Sequence, residues 1–469
     1  MNKILCSILT LALSGFGLAV QDPAPAGAKL LSLIKSDSFR EADRLASTLL
    51  KNPDIDPATS SLCGLAVLKA GRIEEAERIL KTAVELAPGN PEVHLGLGRL
   101  ARIRNDNDAA IPHLEKAVFS ASLHEEALRH LVRAVKERGR TDDLRRIRTL
   151  AGERYRRDGQ SLPSWLEDAF IQVQDRKGKQ LYRMEGRFES LSLPLVLRDN
   201  NAQFGLRMVS LKINGKKEYP FDIDSALADF LTVSPQLAEE LGLSLTGNAT
   251  ATGVGTREAR VRFAVLDKVE IGPVAFYDVP VRVADIQSFR GRRKGLLGTG
   301  LLKRFNVTID SVKEKMILYP LDRPDLLAAD IDRKAVAADI PLYIFDQTVV
   351  AASVGGTPEA LYILDSAAAT NLSDKPFFAA HIRPKLEPGR IVQAGIQGAG
   401  GPQQTLRVDG VSISLGPLAF PAQTIHEFDM SALNKIAGRY TAGLLGNPLL
   451  WPYRVHLDFK AGRLILEKR

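Results

Sequence analysis

The chain has 469 residues, 45% hydrophobic and 25% charged, with 63 Lys and Arg against 55 Asp and Glu, for a formal net charge of +8. That length predicts more than one domain, and these fractions exclude a disordered or fibrous chain. The basic residues are scattered among acids, with short clusters only at 153–157 and 290–294, so nucleic-acid binding is not expected.

Residues 1–20 open with Lys3, run apolar from 4 to 19, and carry small residues at Gly17 and Ala19 before the Pro-rich "QDPAPAG". This is the pattern of a secretory signal peptide, and the apolar stretch is short for a membrane span. An uncleaved anchor is the alternative. The expectation is export to the periplasm or the extracellular space, with no membrane attachment after cleavage. Cys63 would then be alone, which excludes an intrachain disulfide.

Residues 27–157 are rich in Ala, Leu, Arg and Glu at helical spacing. A repeat is visible: Gly64 and Gly98, Leu80 and Leu114, Ala83 and Ala117, and the series Ala42, Ala76, Ala110 each recur at 34 residues. "GLAVLKAGRIEEAERILKTAVELAPGN" holds small residues where two helices touch, and Pro88 where the second stops. It resembles tetratricopeptide repeats, with two good units over 58–121 and two degenerate flanking ones. Such helix pairs need stacked neighbours to bury their faces. The resemblance implies a surface for docking a protein partner; a structural spacer is the alternative.

Residues 158–184 read as a linker containing a short helix at "SWLEDAF". Beyond it the chain favours strands, punctuated by Gly, Pro and Asn-Gly turns. This β part divides into a lobe at 185–322, a connector at 323–337 and a second lobe at 338–469.

The two lobes repeat each other. "YPFDIDSALADFLTVS" contains Asp224 and "ALYILDSAAATNLSD" contains Asp365. Gly253 and Gly255 follow the first Asp, and Gly395 and Gly398 follow the second at nearly equal spacing. "GLLGTGLLKRFNVTID" and "GLLGNPLLWPYRVHLD" complete the match, with Gly298 and Gly446 each 12 residues before an Asp. Four matches in order argue for duplication. Within one unit, an apolar strand ends in an Asp turn, a second strand follows, and "SPQLAEELGL" makes a short helix. Ser234 is its N-cap, Pro235 its first position and Gly242 its stop.

This order resembles the retropepsin-like and pepsin-like aspartic peptidases, in the form that joins two tandem bacterial domains in one chain. The fold class expected is therefore multidomain: an N-terminal all-α solenoid, then a mainly-β acid-protease fold of two lobes related by a pseudo-twofold axis. The resemblance implies that Asp224 and Asp365 are the catalytic pair, sharing one proton and activating a water to hydrolyse peptide bonds. It implies that Ser225 and Ser366 bond across to the opposite loop, and that the Gly298 and Gly446 elements brace the Asp loops. Gly253, Gly255, Gly395 and Gly398 become flap candidates over an extended peptide or protein substrate. Ala226 and Ala367 depart from the family, which has Gly there. They favour a second reading, a catalytically silent peptide-binding module on the same fold. A scaffold in which only the helical repeats act is the third.

Other chemistry finds no support. There is no HExxH, no paired-Cys metal site, no complete dinucleotide or phosphate loop and no nucleophile elbow in the mature part, so no metal and no cofactor are expected. Asp222 reads as a solvent-side strand residue. Asp310 and Asp458, at strand ends, read as turn-forming groups.

Overall fold

The computed structural model describes residues 25–120, 122–174, 176–197, 206–251, 253, 259–285, 293–387, 389–398 and 400–469. The signal peptide expected over 1–20 and the flap candidate Gly255 lie outside them. The chain forms two compact units, one running to Leu181 and including Lys435–Tyr440, the other made of Tyr182–Asn434 and Thr441–Arg469.

Helix pairs build the first unit: Pro25–Lys35 with Phe39–Leu49, Pro57–Lys69 with Ile73–Leu86, Pro91–Ile103 with Asn107–Ala117, and His124–Glu137 with Thr141–Arg157. The sequence period has a steric cause. A Cβ on Gly64 would lie 2.7 Å from Leu80 Cγ, and a Cβ on Gly98 would lie 2.7 Å from Leu114 Cγ. The same knob meets the same gap in successive repeats. Asp56 and Asn90 cap their helices by accepting from the Thr59 and Val93 amides, each ahead of a Pro at the first turn. Ala42, Ala76 and Ala110 are all buried. A short helix, Ser164–Ile171, follows. Among the described residues no helix is long and apolar enough to cross a membrane.

The second unit is mainly β. Its first half contains β1 (Arg183–Glu185), β2 (Leu191–Pro194), β3 (Val196–Leu197), β4 (Arg207–Ile213), β5 (Glu218–Asp224), β6 (Leu231–Val233), β7 (Thr246–Ala251), β8 (Ala259–Ile271), β9 (Val274–Ala284), β10 (Gly295–Gly298), β11 (Phe305–Asp310) and β12 (Lys315–Pro320). Its second half contains β13 (Val336–Pro341), β14 (Tyr343–Ile344), β15 (Thr348–Val354), β16 (Ala360–Asp365), β17 (Asn371–Asp374), β18 (Ile391–Gly398), β19 (Gly401–Leu415), β20 (Leu418–Phe428), β21 (Gly443–Gly446), β22 (Arg454–Asp458) and β23 (Arg463–Glu467). The helix Pro324–Asp330 lies between the halves.

The duplication is legible in the pairing. In the first half the strands close in the order β4, β5, β10, β6, β9, β8 and back to β4. In the second they close as β15, β16, β21, β17, β20, β19 and back to β15. The parallel contacts fall at the same places, β5 with β10 and β6 with β9, against β16 with β21 and β17 with β20. Each half is thus a closed six-stranded barrel, with no free edge within that ring.

A further sheet joins the halves in the order β13-β23-β22-β11-β12-β2. Its centre lies between β11 and β22, where Thr308 faces His456 and Val307 and Ile309 face Leu457 and Val455. Those residues correspond to one another in the two repeats, so the local twofold axis passes beside the Thr308–His456 rung. There Thr308 Oγ1 and His456 Nδ1 are 2.8 Å apart, and His456 Nε2 is 3.0 Å from Glu467 Oε2. His456 is fully buried, and burial lowers its pKa.

Candidate active site

Each candidate aspartate ends a buried strand. Asp224 closes β5 and Asp365 closes β16. β10 lies parallel to β5, with Leu297 opposite Ile223 and Gly298 opposite Asp224; β21 repeats this, with Gly446 opposite Asp365. The Gly residues are sterically required. A Cβ on Gly298 would collide with Asp229 O and stand 2.7 Å from Leu227 O. One on Gly446 would collide with Thr370 O and stand 2.9 Å from Ala368 O. The chain after each Asp wraps against a glycine that must have no side chain.

The two loops are tied to each other by four crossed hydrogen bonds. Ser225 Oγ donates to Leu364 O at 2.6 Å and accepts from the Ser366 amide at 3.0 Å. Reciprocally, Ser366 Oγ donates to Ile223 O at 2.7 Å and accepts from the Ser225 amide at 3.1 Å. Each serine thus bonds to main chain beside the opposite aspartate. The arrangement is not fully symmetric. Thr348 Oγ1 lies 2.9 Å from both Ser225 O and Leu364 O and shares its single proton between them, and Thr299 Oγ1 donates to Ser225 O at 2.8 Å. Arg207 occupies the position on β4 that corresponds to Thr348 on β15.

Ala226 and Ala367 retain the backbone donor that the family's Gly supplies. The Ala226 amide donates to Asp224 Oδ1 at 2.9 Å, and the Ala367 amide to Asp365 Oδ1 at 2.8 Å. Neither alanine has a positive φ, so the methyl group imposes no backbone strain. Burial pushes the Asp224 carboxyl well above the ordinary carboxyl range, and the charge of Asp365 pushes the same way. The Ala226 amide opposes both, the charge of Asp222 adds a smaller upward push, and the Leu227 amide a smaller downward one.

Asp222 is not on the solvent side of its strand, as its sequence suggests. It is 1% exposed and forms an ion pair with the buried Arg293. The reason is a distant segment: β5 is bonded along both edges, to β4 and β10, and the buried Arg293 packs its charge against Asp222, so strand alternation does not deliver Asp222 to water. Asp310 and Asp458 make turns. Asp310 Oδ1 accepts from the Val312 and Lys313 amides, and Asp458 Oδ1 from the Ala461 amide.

A cleft of about 870 Å³ has Asp224, Ala226, Asp365 and Ala367 in its wall. The flap candidates Gly253, Gly395 and Gly398 also line it. Gly395 and Gly398 belong to the β18–β19 hairpin, and Gly253 lies between the paired strands β7 and β8. Beneath the Asp loops, a separate cavity of about 20 Å³ is bordered by Ser225, Ser366, Asn447 and Trp451.

Residues 209–301 match the family described as aspartyl protease, and residues 64–125 match the tetratricopeptide repeat. The chain thus carries tetratricopeptide-like repeats followed by a region similar to aspartyl proteases. The protease match begins in β4 and ends just past β10, so it takes in the Asp224 loop and its Gly298 brace. Among curated proteins, none matches this aspartyl protease-like chain. Among solved structures it is similar to conglutin gamma, a unique basic 7S globulin from lupine seeds. That match has 13% identity, covers 60% of this chain and 96% of that one, and has a TM-score of 0.37. The two barrels and the helical unit make up the architecture expected from the sequence, a solenoid followed by an acid-protease fold in two lobes.

Thr348, Thr299 and Arg293 were not legible as site residues. Thr348 corresponds to Arg207 and Thr299 to Asn447, so matching the copies for shared residues passes over both. Arg293 sits in the basic cluster at 290–294, where nothing local marks one cation as the partner of a buried carboxylate.

Proposed function

We propose that this protease-like protein is an aspartic endopeptidase in which Asp224 and Asp365 share one proton. The observation that carries the reading is the reciprocal Ser225–Ser366 bonding, which holds the two Asp loops together at one cleft. Two neighbouring carboxyls cannot both ionise cheaply, so one stays protonated; the raised pKa of Asp224 fits that role. The ionised partner draws a proton from an attacking water, while the protonated one donates to the scissile carbonyl oxygen. The roles exchange as the amine leaves. The amides of Ala226 and Ala367 keep each carboxylate in place, so the absence of the family's Gly does not remove a donor.

In the same reading the helical repeats dock protein partners or substrates, and the leader-like residues 1–20 direct export to the periplasm or the exterior. The test is digestion of a peptide library from acidic to neutral pH, with and without a statine-type inhibitor. Inhibitor-sensitive cuts that disappear in Asp224→Asn, with an unchanged fold, are expected. Failure to cut any peptide at any pH would reject the endopeptidase.

A further inference from the structure

The wall of the cleft is lopsided in charge. Among the described residues its acidic side chains are Asp224 and Asp365, whereas Arg282, Arg293 and Arg407 all line it, together with His426. Arg293 is buried and ion-paired with Asp222, so it neutralises that carboxylate. Arg282 and Arg407 differ. Each keeps 42% of its side chain exposed and is anchored by one edge: Arg282 Nε lies 3.0 Å from Asp229 Oδ2, and Arg407 Nη2 lies 2.9 Å from Asp409 Oδ2. Neither Asp229 nor Asp409 lines the cleft. A guanidinium has five donors in a rigid fork, so an anchor on one edge leaves donors able to meet a carboxylate. Arg407 Nε is buried with no hydrogen-bond partner among the described residues.

The duplication relates these positions. Arg282 on β9 faces Thr232 on β6, which faces Leu296 on β10; His426 on β20 faces Leu372 on β17, which faces Leu444 on β21. Arg282 and His426 are therefore counterparts, and Arg407 is the cross-strand neighbour of His426. The two partly exposed arginines thus stand on the same rung of the two barrels, one in each lobe. A peptide crossing the cleft past both aspartates meets one arginine from each lobe.

The geometry points to a substrate with acidic side chains on both sides of the scissile bond, one carboxylate received by Arg282 and the other by Arg407. This rests on the peptidase reading of the same cleft. Charge-assisted bonds to a carboxylate exceed neutral ones, and a partly exposed pair is weakened by salt.

The test uses the full-length protein and matched decapeptides carrying Glu, Gln or Lys at each of the three positions on either side of a cut bond. A preference in kcat/KM for Glu over Gln of about tenfold, shrinking at high salt, is expected on both sides. Arg282→Gln brings that ratio toward one on one side of the bond, and Arg407→Gln does so on the other. Arg407→Lys keeps part of it, which separates lost charge from lost fold. Equal rates for Glu and Gln in the unaltered protein, or a preference that survives both Gln variants, would overturn the assignment. If nothing is cut, fluorescence anisotropy of the same labelled peptides on Asp224→Asn distinguishes the two claims. Tighter binding of the Glu peptides would uphold the acidic preference while the peptidase reading falls, and equal binding would remove both.

Discussion

Replacing Ser225 by Ala tests the cross-loop bonding at its most buried point. Ser225 is 1% exposed, and its hydroxyl serves two bonds, one given to Leu364 O and one taken from the Ser366 amide. The two losses differ. Leu364 O keeps the Thr348 hydroxyl at 2.9 Å, so that end loses only a net hydrogen bond, about 0.5–1 kcal/mol. The Ser366 amide loses its acceptor, at about 1–3 kcal/mol for a donor left unpaired away from water. The total expected is about 1.5–4 kcal/mol. Urea unfolding followed by Trp451 fluorescence, in a Trp165→Phe background, reads it directly, because Trp451 borders the cavity that Ser225 also borders. Ser366→Ala breaks the other two crossed bonds, so the double variant is expected to fall about 1 kcal/mol short of the sum, since loops already parted have less to lose. Cleavage should drop roughly a hundredfold if an aspartate moves by about 1 Å. A cost below about 0.5 kcal/mol with cleavage intact would show that the crossed bonds do not hold the loops together.

Asp224→Asn should abolish cleavage and also stabilise the protein at neutral pH. The raised carboxyl pKa means that the folded protein holds this proton to higher pH than the unfolded chain. The contribution of Asp224 is therefore present below the ordinary carboxyl range and is lost as pH rises through the folded value. Urea midpoints at pH 4 and pH 7.5 should show the variant gaining on the unaltered protein only at the higher pH; an equal difference at both would contradict the sign. Ala226→Gly should change kcat/KM by less than about threefold, because the amide that donates to Asp224 Oδ1 is already in place; a large gain would mean that the methyl group obstructs the site. Gly446→Ala should lower stability by about 3 kcal/mol or more in urea titration, since its Cβ meets backbone rather than a yielding side chain.

Much of this was legible because backbone crowding leaves sequence traces. Gly298 and Gly446 are fixed by the carbonyls packed against them, so the GLLG pair survives duplication and points to the Asp turns beside it. The helical period is visible for the same reason, Gly64 and Gly98 each making room for a leucine. What was not legible depends on contacts between distant segments. Asp222 looks like a surface residue until Arg293, 71 residues on, is brought against it and neutralises it. Thr348 binds both loops from one repeat alone, so comparing the copies hides it. The sheet shared by the two lobes depends on β11 meeting β22, a pairing that no local pattern of alternation announces.

That shared sheet limits how the protein can be divided. The rung at Thr308 and His456 joins equivalent positions, so either lobe made alone would expose a strand edge whose natural complement is a copy of itself. A nick in the segment between the lobes should leave the halves associated through the ladder. An isolated first lobe is expected to self-associate in solution, with β11 meeting β11 across a true twofold axis where the intact chain has only an approximate one.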